Sequence, residues 1–137
     1  MFLDLVTGAK KKQALLREPP VPPRTGWKPP EFLPDIRDCS LMAFDVETKE
    51  PDFDHGPGWG RGVGHIVGLS IAAVDRHNNR FKCYCPVRHE VESHLNMPQQ
   101  QVFGWAREML ESPCPKTGAN LMYDMGWLGE EGIFVQG

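Results

Sequence analysis

The run Leu41-Met42-Ala43-Phe44-Asp45-Val46-Glu47-Thr48 constrains this chain more than any other stretch of it. Residues 41–46 are mainly apolar and read as a buried strand that ends at a carboxylate. Asp45 and Glu47 lie two residues apart, so on a strand both project from the same side of the backbone. Shielded from water, two such groups repel one another and are costly to desolvate. A positive partner is therefore expected between them, and a divalent metal ion is the leading candidate. The segment Asn120-Leu121-Met122-Tyr123-Asp124 offers a third carboxylate.

Composition narrows the function classes. A chain of 137 residues suits one small domain or part of a larger one, and 40% hydrophobic content is enough for a core. The formal net charge of −3 gives no sign of a large basic surface, which disfavours a DNA-binding module held by charge alone. It leaves room for a nuclease, whose site is acidic and whose metal ions carry the positive charge. The apolar runs are too short to span a bilayer. Lys10, Lys11 and Lys12 precede no apolar stretch, so a signal peptide is not expected and a cytoplasmic location follows. The cysteines Cys39, Cys83, Cys85 and Cys114 lack the spacing of a disulfide scaffold and read as free thiols. Cys83 and Cys85 with His89 and His94 would supply four zinc ligands. Ligands one residue apart pinch the chelate ring, and thiols on a strand with surface histidines are the better reading.

The chain divides into residues 1–38 and 39–137. The first stretch holds Pro19-Pro20-Val21-Pro22-Pro23, then Pro29, Pro30 and Pro34, a density that favours extended backbone. It reads as a Pro-rich tail or as a strap packed on a neighbouring domain, with Trp27 and Phe32 as anchors. The second stretch reads as a meander of three strands at 41–46, 65–74 and 81–86. A long loop fills 48–64, and Asp75 to Asn79 make a turn. A helix is predicted over 98–112, a strand-like entry over 116–120 and a helix over 121–128 carrying Met122, Met125 and Leu128 on related faces. Gly132 to Val135 reads as the start of a further strand. The predicted class is α/β with a mixed sheet, an antiparallel meander followed by αβα.

Phe44-Asp45-Val46-Glu47-Thr48 and Gly118-Ala119-Asn120-Leu121-Met122-Tyr123-Asp124 together resemble the first and second motifs of the DEDD 3′→5′ exonuclease superfamily. His is common in that family where Ala119 stands. The insertion Asp52-Phe53-Asp54-His55-Gly56-Pro57-Gly58-Trp59-Gly60, followed by Gly68-Leu69-Ser70-Ile71-Ala72, looks most like the proofreading exonuclease domain of bacteriophage family A DNA polymerases. The resemblance covers residues 27–137. It implies a ribonuclease-H-like fold, here incomplete at the C-terminus, and a site for two Mg²⁺ or Mn²⁺ ions. Asp45 would bridge both ions, Glu47 would bind the ion that generates the nucleophile, and Asp124 would hold the second. Thr48 and Asn120 would position the terminal nucleotide or a water.

The family's third motif, a Tyr or His followed by a fourth metal-binding Asp, has no counterpart here, because no Asp follows Asp124. Glu130 and Glu131 read as a solvated helix end. The expectation is a chain truncated before that motif, weak or inactive alone, acting on the 3′ end of single-stranded DNA with the remainder of a DNA polymerase in cis or as a second chain. The alternative is a non-catalytic module that binds nucleic acid or a polymerase. The glycine-rich loop 56–64 precedes a strand and not a helix, so it is not a dinucleotide fingerprint. It reads as a flap, with Trp59 able to stack on a base and Arg61 able to meet a phosphate.

Overall fold

The computed structural model describes residues 26–137, so the Pro19–Pro23 cluster and Lys10 to Lys12 lie outside the described residues. Strands β1 (Leu41–Lys49), β2 (His65–Val74) and β3 (Arg80–Pro86) form an antiparallel meander. Helix α1 (Gln99–Leu110) follows, then a two-residue strand β4 (Lys116–Thr117) and helix α2 (Leu121–Glu130). The sheet order is β3-β2-β1-β4, with β4 parallel to β1. This mixed four-stranded α/β arrangement is compatible with a ribonuclease-H-like fold.

Alternation along the strands decides which face is covered. On β1, Met42, Phe44 and Val46 are buried, while Leu41, Asp45 and Glu47 are exposed on the other side. Register carries the pattern across: Phe44 pairs with Ile71 and Val46 with Leu69, all buried, whereas Asp45 pairs with Ser70. A bulge between Glu47 and Thr48 shifts the pairing so that Thr48 meets Ile66. Helix α1 opens after Pro98, whose fixed φ and missing N–H suit a helix start. Val102, Phe103, Ala106, Met109 and Leu110 recur at helical spacing and are buried, as is Trp105. Each such aliphatic side chain contributes about 1.5–3 kcal/mol by leaving water.

Residues 33–39 run over this same core. Leu33, Ile36 and Cys39 pack against it. Trp105 Nε1 donates to the carbonyl of Pro34 at 2.7 Å, and the Ile36 amide approaches Met109 Sδ at 3.3 Å. Trp27, 46% exposed, lies beside Tyr84 with ring centroids 6.0 Å apart, and Phe32 is 74% exposed.

Three sequence expectations are corrected. Residues 132–135 form no strand, because their amides bond elsewhere: Ile133 to the Leu128 carbonyl and Phe134 to Glu111 Oε1. On α2 the buried face carries Asp124, Trp127 and Leu128, while Met122 is 82% exposed. Leu128 is buried as its place in the apolar pattern suggests, whereas Met122 and Met125 turn to solvent and Asp124 and Trp127 take the inner positions. Glu131 is no solvated helix end: it pairs with Arg88 at 2.5 Å, and the Arg88 guanidinium lies 5.1 Å from the Phe103 ring centroid.

Trp105→Phe keeps an aromatic ring at this buried position, trims its volume and removes the donor to Pro34. It is expected to lower stability in urea by about 1 kcal/mol and to speed amide exchange at Ile36 and Cys39. Unchanged exchange at both would show that this bond does not hold the strap.

Candidate carboxylate site

The site depends on how soon β4 ends. Only Met42 and Ala43 of β1 have partners on it, Lys116 and Thr117. Beyond Thr117 this edge of β1 is left without a strand. Gly118 carries the chain past it at close range, where a Cβ would meet Phe44 O at 3.0 Å and Leu121 Cδ2 at 2.5 Å. Asn120 then adopts the left-handed conformation, φ 51° and ψ 49°, which Asn tolerates better than most residues. From that turn α2 begins, and Asp124 in its first turn reaches back to the vacated edge. The Val46 amide donates to Asp124 Oδ1 at 3.0 Å across 78 residues of sequence.

Asp124 is 2% exposed. Burial raises its pKa above the ordinary carboxylate value; the Val46 hydrogen bond opposes the shift, and the negative charge of Asp45 adds to it. Two acids from distant parts of the chain therefore meet at one strand edge. Glu47 shares the open face of β1 with Asp45, and its charge reaches Tyr84, whose pKa is raised by burial and then by Glu47. The Tyr84 hydroxyl is hydrogen-bonded to His89 Nε2.

Among the described residues neither Asp45 nor Asp124 makes an ion pair. No group of three His, Cys, Asp or Glu among them is arranged to hold a metal ion. The chemistry of the pair nonetheless suits a hard cation: oxygen donors of like charge, one of them buried, with no counter-charge among the described residues. Asp45 and Asp124 fit that group; Glu47 lies two residues further along the same strand face and is not drawn in with them.

The remaining expected residues are placed as follows. Asn120 is exposed and its side chain makes no capping bond. Thr48 Oγ1 lies 2.9 Å from the hydroxyl of Tyr123. The ring of Trp59 packs where a Cβ on Gly126 would sit, 2.4 Å from Trp59 Cε2. Arg61 is engaged inside its own loop, donating to Asp52 Oδ2 at 2.9 Å and to the carbonyls of Asp52 and Gly56 at 3.0 Å. The loop expected to be a flap thus has two short 3₁₀ turns, Phe53–His55 and Gly58–Arg61, and packs on α2. Glu50 escaped the sequence reading. It accepts from the Tyr123 hydroxyl and from the Gly58 amide, and nothing in the local sequence signals that role. The zinc alternative fails geometrically: Cys83 and Cys85 face the core side of β3, 3.9 Å apart, while His89 bonds Tyr84 on the opposite side.

No protein-family model matches the chain. Over 112 residues it is 34% identical to a DNA-directed DNA polymerase of Pseudomonas phage M6, a match covering 78% of this chain and 16% of that protein. Most of this chain is therefore related to one region of a phage DNA polymerase. It spans only a small part of that relative's length.

The raised pKa of Asp124 has a definite sign in stability. Above the ordinary carboxylate value the folded state holds more protons than the unfolded one, so stability falls as pH rises through that window. Asp124→Asn keeps an oxygen for the Val46 amide and removes the charge. It is expected to flatten this pH dependence above about pH 4 and to leave the chain at least as stable as the parent at neutral pH. Asp124→Ala leaves that amide unpaired and is expected to cost about 1–3 kcal/mol. Urea unfolding of the three proteins at several pH values checks both; a parent-like slope in the Asn variant would refute the assignment.

Proposed function

We propose that this chain forms the first part of a proofreading 3′→5′ exonuclease domain of a phage DNA polymerase, acting on the 3′ end of single-stranded DNA. The observation that carries this reading is the meeting of Asp45 and Asp124 through the Val46 amide. Two acids drawn together with no counter-charge among the described residues are a costly arrangement for a purely structural purpose. The relationship to a phage DNA polymerase supports the same reading.

In this reading Asp45 and Asp124 hold Mg²⁺ or Mn²⁺, with Glu47 as a further carboxylate on the same strand face. Two such ions stabilise the attacking and leaving oxygens of an in-line displacement at phosphorus. The chain's own residues provide the hard oxygen donors, a buried wall behind Asp124, and a left-handed turn that leaves Asn120 exposed beside the site for a terminal nucleotide. Full activity requires ligands beyond these, so turnover by this chain alone is expected to be weak or absent. A non-catalytic module that binds nucleic acid or a polymerase is the second reading, favoured by the sheet face around Leu41 and Trp27, which no other described residue covers.

Calorimetry with Mn²⁺ tests the first reading. The parent chain is expected to bind, and Asp45→Asn and Asp124→Asn each to weaken binding by more than the roughly 10–100-fold that loss of a mere supporting partner costs. Parent-like affinity in both variants would refute a cation site at this pair. On a 3′-labelled single strand, release of label near background is expected from this chain. Robust turnover lost in Asp45→Ala would show instead that the residues present suffice.

A further inference from the structure

Three elements meet beside Asp124 through one chain of hydrogen bonds. Tyr123, the residue before Asp124, brings its hydroxyl 2.9 Å from Thr48 Oγ1 at the end of β1 and donates to Glu50 Oε2. The other oxygen of Glu50 accepts from the Gly58 amide in the loop. Each hydroxyl has one proton, so the direction is fixed: Thr48 donates to Tyr123, Tyr123 donates to Glu50, and the Gly58 amide closes the other end. Aligned donors of this kind polarise one another, and each bond strengthens the next.

From this geometry we infer that Glu50 and Tyr123 are positioning residues, clamping the first turn of α2 to the end of β1 so that the Asp124 carboxylate is held at the Val46 amide beside Asp45. The inference rests on the cation-site reading above and adds to it the residues that set the spacing of the pair.

Two further observations support the clamp. The loop that presents the Gly58 amide is tightly closed: the Val63 amide donates to Gly58 O at 3.0 Å, and a Cβ on Gly58 would lie 1.9 Å from Val63 O. Trp59 from the same loop covers Gly126, one turn beyond Tyr123, and leaves no room there for a side chain. The loop therefore grips α2 at Tyr123 and again at Gly126. Among the described residues Glu50 makes no ion pair, so neutral donors alone orient its carboxylate. Thr48, expected to face a nucleotide or a water, has its hydroxyl directed into this clamp.

The test uses the whole chain labelled with ¹⁵N. The Val46 amide reports the clamp directly, because its partner is Asp124 Oδ1. Tyr123→Phe and Glu50→Ala are expected to shift the Val46 amide resonance, to lower its exchange protection about tenfold and to weaken Mn²⁺ binding about tenfold. Glu50→Gln, which offers one acceptor where two donors converge, is expected to fall between parent and Glu50→Ala. Phe81→Leu, a core change two strands away from the clamp at the far end of β3, where Phe81 packs edge-on against Trp105, is expected to lower stability while moving neither the Val46 resonance nor Mn²⁺ affinity. Thr48→Val, which removes only the outermost hydroxyl, serves if the stronger variants do not fold, and is expected to displace the resonance in the same direction. An unmoved Val46 amide in the folded clamp variants would overturn the inference. Should the parent bind no Mn²⁺, the cation reading fails by itself, and the amide still decides the clamp.

Discussion

The hydrogen bond from the Val46 amide to Asp124 Oδ1 is the contact on which the rest of this site depends. It exists because β4 pairs with β1 over only two residues and then turns away. A longer β4 would satisfy the edge of β1 with backbone carbonyls, and no side chain would be needed there. The short strand frees one donor, and a helix starting just beyond it supplies a carboxylate as acceptor. One backbone group thus fixes where a buried acid from residue 124 meets an exposed acid from residue 45.

That bond holds only the first turn of α2, while Trp127 and Leu128 seat the rest of the helix in the core. The loop between β1 and β2 grips it further. Its glycines are not slack: Gly58 and Gly64 sit where a Cβ would collide with backbone carbonyls at 1.9 and 2.2 Å, so they permit close approach. Arg61 binds the loop to itself through Asp52 and Gly56, and Glu50 and Trp59 bind it to α2. A stretch whose composition suggests a mobile flap is thereby part of the frame.

The meander, both helices and the alternation on β1 were legible in the sequence, because each is a local pattern of period two or about 3.6 residues. Asp45, Glu47 and Asp124 stood out in the sequence as acids within or beside apolar runs, and the fold brings Asp45 and Asp124 together. The inner face of α2 was misread because burial there includes Asp124, and a hydrophobic stripe could not reveal that. Residues 132–135 were misread because their apolar pattern suits a strand, whereas a local bond to the C-terminal end of α2 and a long-range one to Glu111 claim their amides. Glu50 was invisible for a related cause. Its partners lie 8 and 73 residues away, and no local period encodes such a meeting.

Among the described residues the sheet has helices on one face only, and this asymmetry bears on the site. Both helices pack behind Phe44, Val46, Leu69 and Ile71, while Leu41, Ala43 and Ala72 face outward with Asp45 and Glu47. Small and apolar residues interleaved with acids make a poor solvated surface, and mixed sheets in α/β folds tend to be layered on both sides. The acids lie at the junction of the two faces: Asp45 and Glu47 on the bare side, Asp124 at the edge from the covered side. A second layer over Ala43 and Ala72 would bring its own side chains to that junction. The related polymerase is long enough to supply one, since this chain matches only 16% of it. In the proposed reading residues 26–137 would supply one wall of a cation site, and like charges gathered on such a wall are destabilising until an ion or an opposing group balances them.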